Sequence, residues 1–195
     1  MVVSQQLDER PKTKDESLSS FVGRPSSTLV VGLGNPILGD DGVGWRVAEE
    51  VRKRLGIADC PGQSEIPNLK SEIEVDCAAL GGLSLMERLV GYDRAIVIDA
   101  LCTGRQPVGS VHRFALDDLP DLSAGHTTAA HDASLQTALN MGRAMGIHLP
   151  EQVTVVAVEA RSVHDFSEEL TPPVAAAVPR AVELVLESLR APRPV

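Results

Sequence analysis

Apolar residues along the chain follow two spacings, and these alternate. Short β-branched runs give way to stretches in which apolar residues return every three or four positions. Residues 27–33 (STLVVGL) predict a buried first strand ended by glycine. Val43, Val47, Val51 and Leu55 then recur every four residues, which marks one face of an amphipathic helix. EIEVDCA around Val75 predicts a second strand, and LSLMERLVGY a helix. RAIVIDA, residues 94–100, predicts a third strand with an aspartate near its carboxyl end, and residues 109–116 a shorter fourth. A helix follows over about 130–145, with Leu135, Leu139 and Met145 as core candidates. Residues 152–160 predict a fifth strand and residues 173–189 the last helix.

Strands that alternate with helices, and that are apolar on both faces, predict an α/β fold: one three-layer domain of the phosphorylase/hydrolase-like kind. It has a mostly parallel, twisted five-stranded sheet with helices on both faces. The link between the third and fourth strands, residues 101–107, holds no helix, and a parallel crossover needs a dozen or more residues. The fourth strand is therefore expected to run antiparallel to its neighbour. The domain is expected over residues 27–190, after a flexible polar tail (1–26) and before a short C-terminal one (191–195). In such a sheet, ligands bind beyond the carboxyl ends of the strands, where the strand order reverses.

Composition narrows the partners. The chain has 195 residues and a formal charge of −9, with no basic cluster, so nucleic acid is not an expected partner. No apolar run approaches a membrane span and the N-terminus has no secretory pattern, so a cytoplasmic protein is expected. Cys60, Cys77 and Cys102 lie far apart and form no Cys-x-x-Cys pair, which reads as free thiols rather than a zinc knuckle or redox motif.

The most informative stretch is GLGNPILGDDGVGW, residues 32–45. Its glycines resemble a nucleotide loop, but Gly34 is followed by Asn35, Pro36 and Ile37, so the dinucleotide spacing fails. No lysine or arginine is present to meet a phosphate, and Asp40 and Asp41 would repel one. The adjacent aspartates argue for the opposite charge preference. Gly32, Gly34, Gly42 and Gly44 let the backbone come close to itself or to a ligand. Asp40, just before a predicted helix, reads most simply as an N-cap. Asp99 ends a central strand, where a carboxylate is costly unless it is paired, hydrogen-bonded or bound to metal. Asp76, at the end of the second strand on the same edge, is a further candidate for shaping the site. Glu159 ends the fifth strand near that edge without an evident role. His112 and His148 are expected to be exposed, and His126 and His164 to lie in loops. Trp45 is expected in the core.

VVGLGNP also opens the bacterial peptidyl-tRNA hydrolases, a resemblance that stops at Pro36. A longer resemblance runs through VVGLGNPILGDDGVGWRVAEEV, AIVIDAL, TTAAHDASLQTAL and VTVVAVEARSVHDFSEELTPPVAAAVPRAVELV. In that order these segments resemble the [NiFe]-hydrogenase maturation proteases from Ser27 to Leu189. The resemblance implies a metal-binding and catalytic trio at Asp41, Asp99 and His131, with Gly32, Gly34, Asn35, Asp40 and Gly42 in the supporting loop. Two carboxylates and an imidazole suit nickel or another borderline divalent metal. The resemblance further implies that the nickel is carried by the substrate, the precursor of a hydrogenase large subunit, from which a C-terminal peptide is removed. Two alternatives differ from it in class: a peptidyl-tRNA hydrolase-like esterase, and a metal-sensing maturation chaperone that does not cut. No Gly-x-Ser-x-Gly elbow or His-Glu-x-x-His helix offers another hydrolytic machinery.

Overall fold

The structure is a computed structural model and describes residues 27–57, 72–118, 134–161 and 163–191. The strands are β1 (Thr28–Leu33), β2 (Ile73–Ala78), β3 (Arg94–Leu101), β4 (Val111–Ala115) and β5 (Gln152–Glu159). The helices are α1 (Val43–Leu55), α2 (Gly82–Arg88), α3 (Leu135–Ala144) and α4 (Pro172–Arg190). One sheet has the order β2-β1-β3-β5-β4, parallel except for β4, which pairs antiparallel with β5. The short β3–β4 link thus has the consequence expected of it, although β4 lies beside β5 at the sheet edge and not beside β3.

Each face of the sheet carries its own core, because successive strand residues point to opposite sides. Val30, Ile96, Ile98, Val156 and Val158 pack with Val43, Val47 and Val51 of α1 and with Val174, Val182 and Val185 of α4. Leu29, Val31, Val97, Val153 and Val155 pack on the other side with Leu85 of α2 and with Ala138 and Leu139 of α3. The four-residue spacing of α1 buries Val43, Val47 and Val51 completely. Met145 departs from its expected place. It follows α3 as the C-cap and is 76% exposed, while Gly142 lies against Leu149 and Met86 in its stead. Trp45 is half-buried on α1.

Two connections fix the functional edge. From β1 the chain crosses by α1 to β2 on one side, then returns by α2 to β3 on the other. The strand order therefore reverses between β1 and β3, which is where a parallel sheet opens a crevice at its carboxyl ends. The helix α1 comes very close to the sheet. A Cβ on Gly32 would run into the Gly44 carbonyl, and one on Gly44 would lie 2.6 Å from the Ile98 carbonyl oxygen. No helix among the described residues is long and apolar enough to cross a membrane.

Candidate active site

The crevice between β1 and β3 is a cleft of about 280 Å³ lined by Leu33, Gly34, Asn35, Asp41, Leu80 and Asp99, among others. Asp41 lies in a short 3-10 turn, Gly39–Gly42, that joins β1 to α1. Its Oδ2 accepts the Asn35 backbone N–H at 2.6 Å, so the loop folds back across its own base. Gly34 makes that fold possible: its φ is +110°, and a Cβ there would strike the Asp41 carbonyl. Asp99 enters the cleft from β3, and its Oδ1 accepts the Ala100 N–H at 2.8 Å. These are the only hydrogen bonds that the two carboxylates make among the described residues, so each keeps one oxygen without a protein donor. Burial raises the Asp99 carboxyl to about 6; the Ala100 N–H works against the rise, and the charge of Asp41 adds to it. The two acids are thus held close enough to repel in a partly dehydrated cleft, and a cation between them would relieve both effects.

Asp40, next to Asp41, does different work. It is fully buried and accepts the Thr171 N–H at 2.7 Å and the Thr171 hydroxyl at 3.0 Å. It does not cap the helix that follows it: α1 has Gly42 at its N-cap and no side-chain cap. Asp40 instead fastens the loop to the residue that begins α4. Beside this contact, the Gly39 N–H donates to the Ser167 carbonyl, and the Ser167 N–H to the Ile37 carbonyl.

Asp76 points to other partners. Its Oδ2 accepts Arg88 Nε at 2.7 Å, and its Oδ1 accepts the Cys77 N–H at 2.8 Å. Arg88 also binds Glu74 and Tyr92, so Asp76 belongs to a network between β2 and α2. His131 lies outside the described residues, as do His126 and Cys60. Among the described residues no three acidic, histidine or cysteine side chains gather as a metal cluster. Asp41 and Asp99 supply two such groups in one cleft.

Residues 69–188, more than half of the chain, match the family model for the hydrogenase maturation protease. This chain belongs to that family. HupD of Rhizobium leguminosarum, a hydrogenase expression/formation protein, is 28% identical over 162 residues, which are 83% of this chain and 73% of HupD. The hydrogenase 2 maturation protease of Escherichia coli is 26% identical over 162 residues, 83% of this chain and 90% of that one. Among solved structures, the hydrogenase maturating endopeptidase HybD from E. coli superposes with a TM-score of 0.63 at 26% identity, covering 84% of this chain and 92% of HybD. Peptidase activity goes with membership of the hydrogenase maturation proteases, and Asp99 and His131 lie within the matched segment.

Sequence reasoning left one feature of this maturation protease without a role. Glu159, at the end of β5, is 1% exposed. Its Oε1 accepts the N–H of Thr103 at 2.9 Å, the N–H of Gly104 at 2.7 Å and the Thr103 hydroxyl at 3.0 Å. Burial pushes the carboxyl up, but the Thr103 hydroxyl and the two backbone N–H groups stabilise the charged form more, so its pKa is lowered overall. The signal in the sequence was an acid ending an apolar strand run; its partners, more than fifty residues away, left no local mark. His112 also departs from expectation. It is half-buried on β4, and its Nε2 is buried without a hydrogen-bond partner among the described residues.

Proposed function

We propose that this protein removes a C-terminal peptide from the nickel-loaded precursor of a [NiFe]-hydrogenase large subunit. Asp41, Asp99 and His131 then meet the nickel that the substrate brings. The observation that carries the reading is the shared cleft of Asp41 and Asp99, each with one oxygen that receives no donor among the described residues. Hard carboxylate oxygens with an imidazole fit a borderline divalent ion and leave positions open for ligands from the substrate. Nickel bound there supplies charge neutralisation and fixes the precursor's C-terminal region. The chain's own groups do the rest of the positioning: the Asn35 and Ala100 N–H groups hold the two carboxylates, and Asp40 holds the loop. Peptide hydrolysis needs a water to add to the scissile carbonyl and a proton to reach the departing amine.

The test is the intact mass of the large subunit in cells lacking this gene, grown with nickel. A subunit heavier by a C-terminal peptide is expected. Wild type should restore the mature mass, whereas Asp41→Ala, Asp99→Ala and His131→Ala should each leave the heavier form. A mature mass without the gene would remove the proposal, and restoration by His131→Ala would remove that residue from the site.

A further inference from the structure

A second cleft, of about 320 Å³, lies at the same edge of the sheet. Cys102, Thr103, Gly104, Gln106, Glu159 and Arg161 are among its lining residues. Its wall is the β3–β4 loop, and Glu159 holds that loop by the three contacts described above. Further bonds fix its two ends. The Cys102 thiol donates to the Ala160 carbonyl at 3.3 Å, and the Gly109 N–H donates to the Glu159 carbonyl at 2.8 Å. The cleft is therefore built in advance, and Glu159 is a positioning residue whose carboxylate oxygens are taken up by donors of the loop.

Arg161 also lines this cleft. Its guanidinium makes no ion pair or hydrogen bond among the described residues, and it is the one cation among the lining residues of the cleft, in a chain of net charge −9. The neighbouring Gln106 amide is likewise without a partner among the described residues. A planar guanidinium fork, together with an amide donor in the same cleft, offers the donors that recognise a carboxylate.

Register places this cleft relative to the first. Asp99 pairs with Ala157, and Leu101 pairs with Glu159, so Asp99 and Glu159 rise from the same face on adjacent strands, two residues apart. Strand geometry makes that roughly 8 Å between their backbones, a span of two to three extended peptide residues. Cys102, which lines this cleft, is within electrostatic range of Glu159 and of Asp40, Asp41 and Asp99.

We propose that the Glu159 cleft is a second subsite, in which Arg161, with Gln106, binds a carboxylate of the substrate peptide a few residues from the cut. This rests on the reading of the Asp41–Asp99 cleft as the place of cleavage. The carboxylate has two possible sources, an acidic side chain or a chain terminus, and the chemistry of recognition is the same for both.

Three tripeptides separate these sources in an NMR titration of the full-length protein. N-acetyl-Ala-Glu-Ala-amide carries only a side-chain carboxylate, N-acetyl-Ala-Ala-Ala only a terminal one, and N-acetyl-Ala-Gln-Ala-amide neither. At least one acidic peptide should shift the backbone amides of Thr103, Gly104 and Val108, and should bind on the order of tenfold more tightly than the neutral one. The acidic peptide that does so identifies the source. Arg161→Gln should abolish the preference, and Arg161→Lys should keep part of it. The proposal is overturned if the neutral peptide binds as well as the acidic ones, if no peptide shifts these amides, or if Arg161→Gln retains the preference. The titration needs neither nickel nor turnover, so its outcome is independent of the precursor-mass experiment.

Discussion

At Asp99, burial first and the Asp41 charge second raise the carboxyl from 3.8 to about 6, and the folded chain therefore binds this proton more tightly than the unfolded one. Stability from this group is greatest below about pH 4 and falls as pH rises toward 6; above 6 the full cost of the charged form remains. Asp99→Asn should therefore stabilise the protein by about 1–3 kcal/mol at pH 8, with little effect at pH 4, while processing is lost. Urea unfolding of both proteins at the two pH values measures this. Glu159 has the opposite sign. Its lowered pKa stabilises the fold above the ordinary carboxylate range, and that contribution is lost on acidification. Asp40 shows how far a single residue was legible. An aspartate before a helix reads as a cap, because a cap needs only neighbours along the chain. Its real partner, Thr171, lies 131 positions away, and no local pattern reports a contact of that range.

Among elements, the seam between β1 and α1 is the most demanding. Gly32 and Gly44 let the helix lie directly on the strand that leads into the Asp41 loop. Gly44→Ala should move α1 and cost about 2–3 kcal/mol, visible as a lower urea midpoint. Processing should fall further than the loss of folded protein explains, since Asp41 moves with the helix. The elements themselves were readable because each signals its own period. Val43, Val47 and Val51 announced a buried helix face, and the β3–β4 link, nine residues long in the structure, was too short for a parallel return. Met145 was misread because periodicity does not say where a helix stops. After Ala144 the chain turns away through Gly146, whose φ is +76°, and Met145 is left in solvent. His112 was misread because an edge strand looks exposed in sequence, although here Nε2 is buried.

For the whole molecule, the two ends of the sheet have separate duties. At the amino end, Asp93 accepts the Ser27 N–H at 2.9 Å and lies 2.9 Å from His148 Nε2. These contacts tie down the entries to the strands, far from both clefts. Asp93→Ala should lower Tm by about 2–4 °C, for a loss near 1 kcal/mol, and leave the processing rate per folded molecule unchanged. The carboxyl end carries Asp41, Asp99, Glu159 and Arg161. The cleft position could be read from strand order alone, since a reversal between β1 and β3 opens a crevice in any parallel sheet. The Glu159–Thr103 clamp could not, because it joins a strand end to a loop whose shape depends on the finished sheet.

The Asp40–Thr171 contact has a consequence for the birth of the molecule. The acidic loop is translated early and its fastening point late, so a nascent chain on the ribosome holds Asp41 on an unfastened turn until Thr171 and α4 have emerged. The turn that carries Asp41 is thus set only once a residue 131 positions downstream of Asp40 has been made.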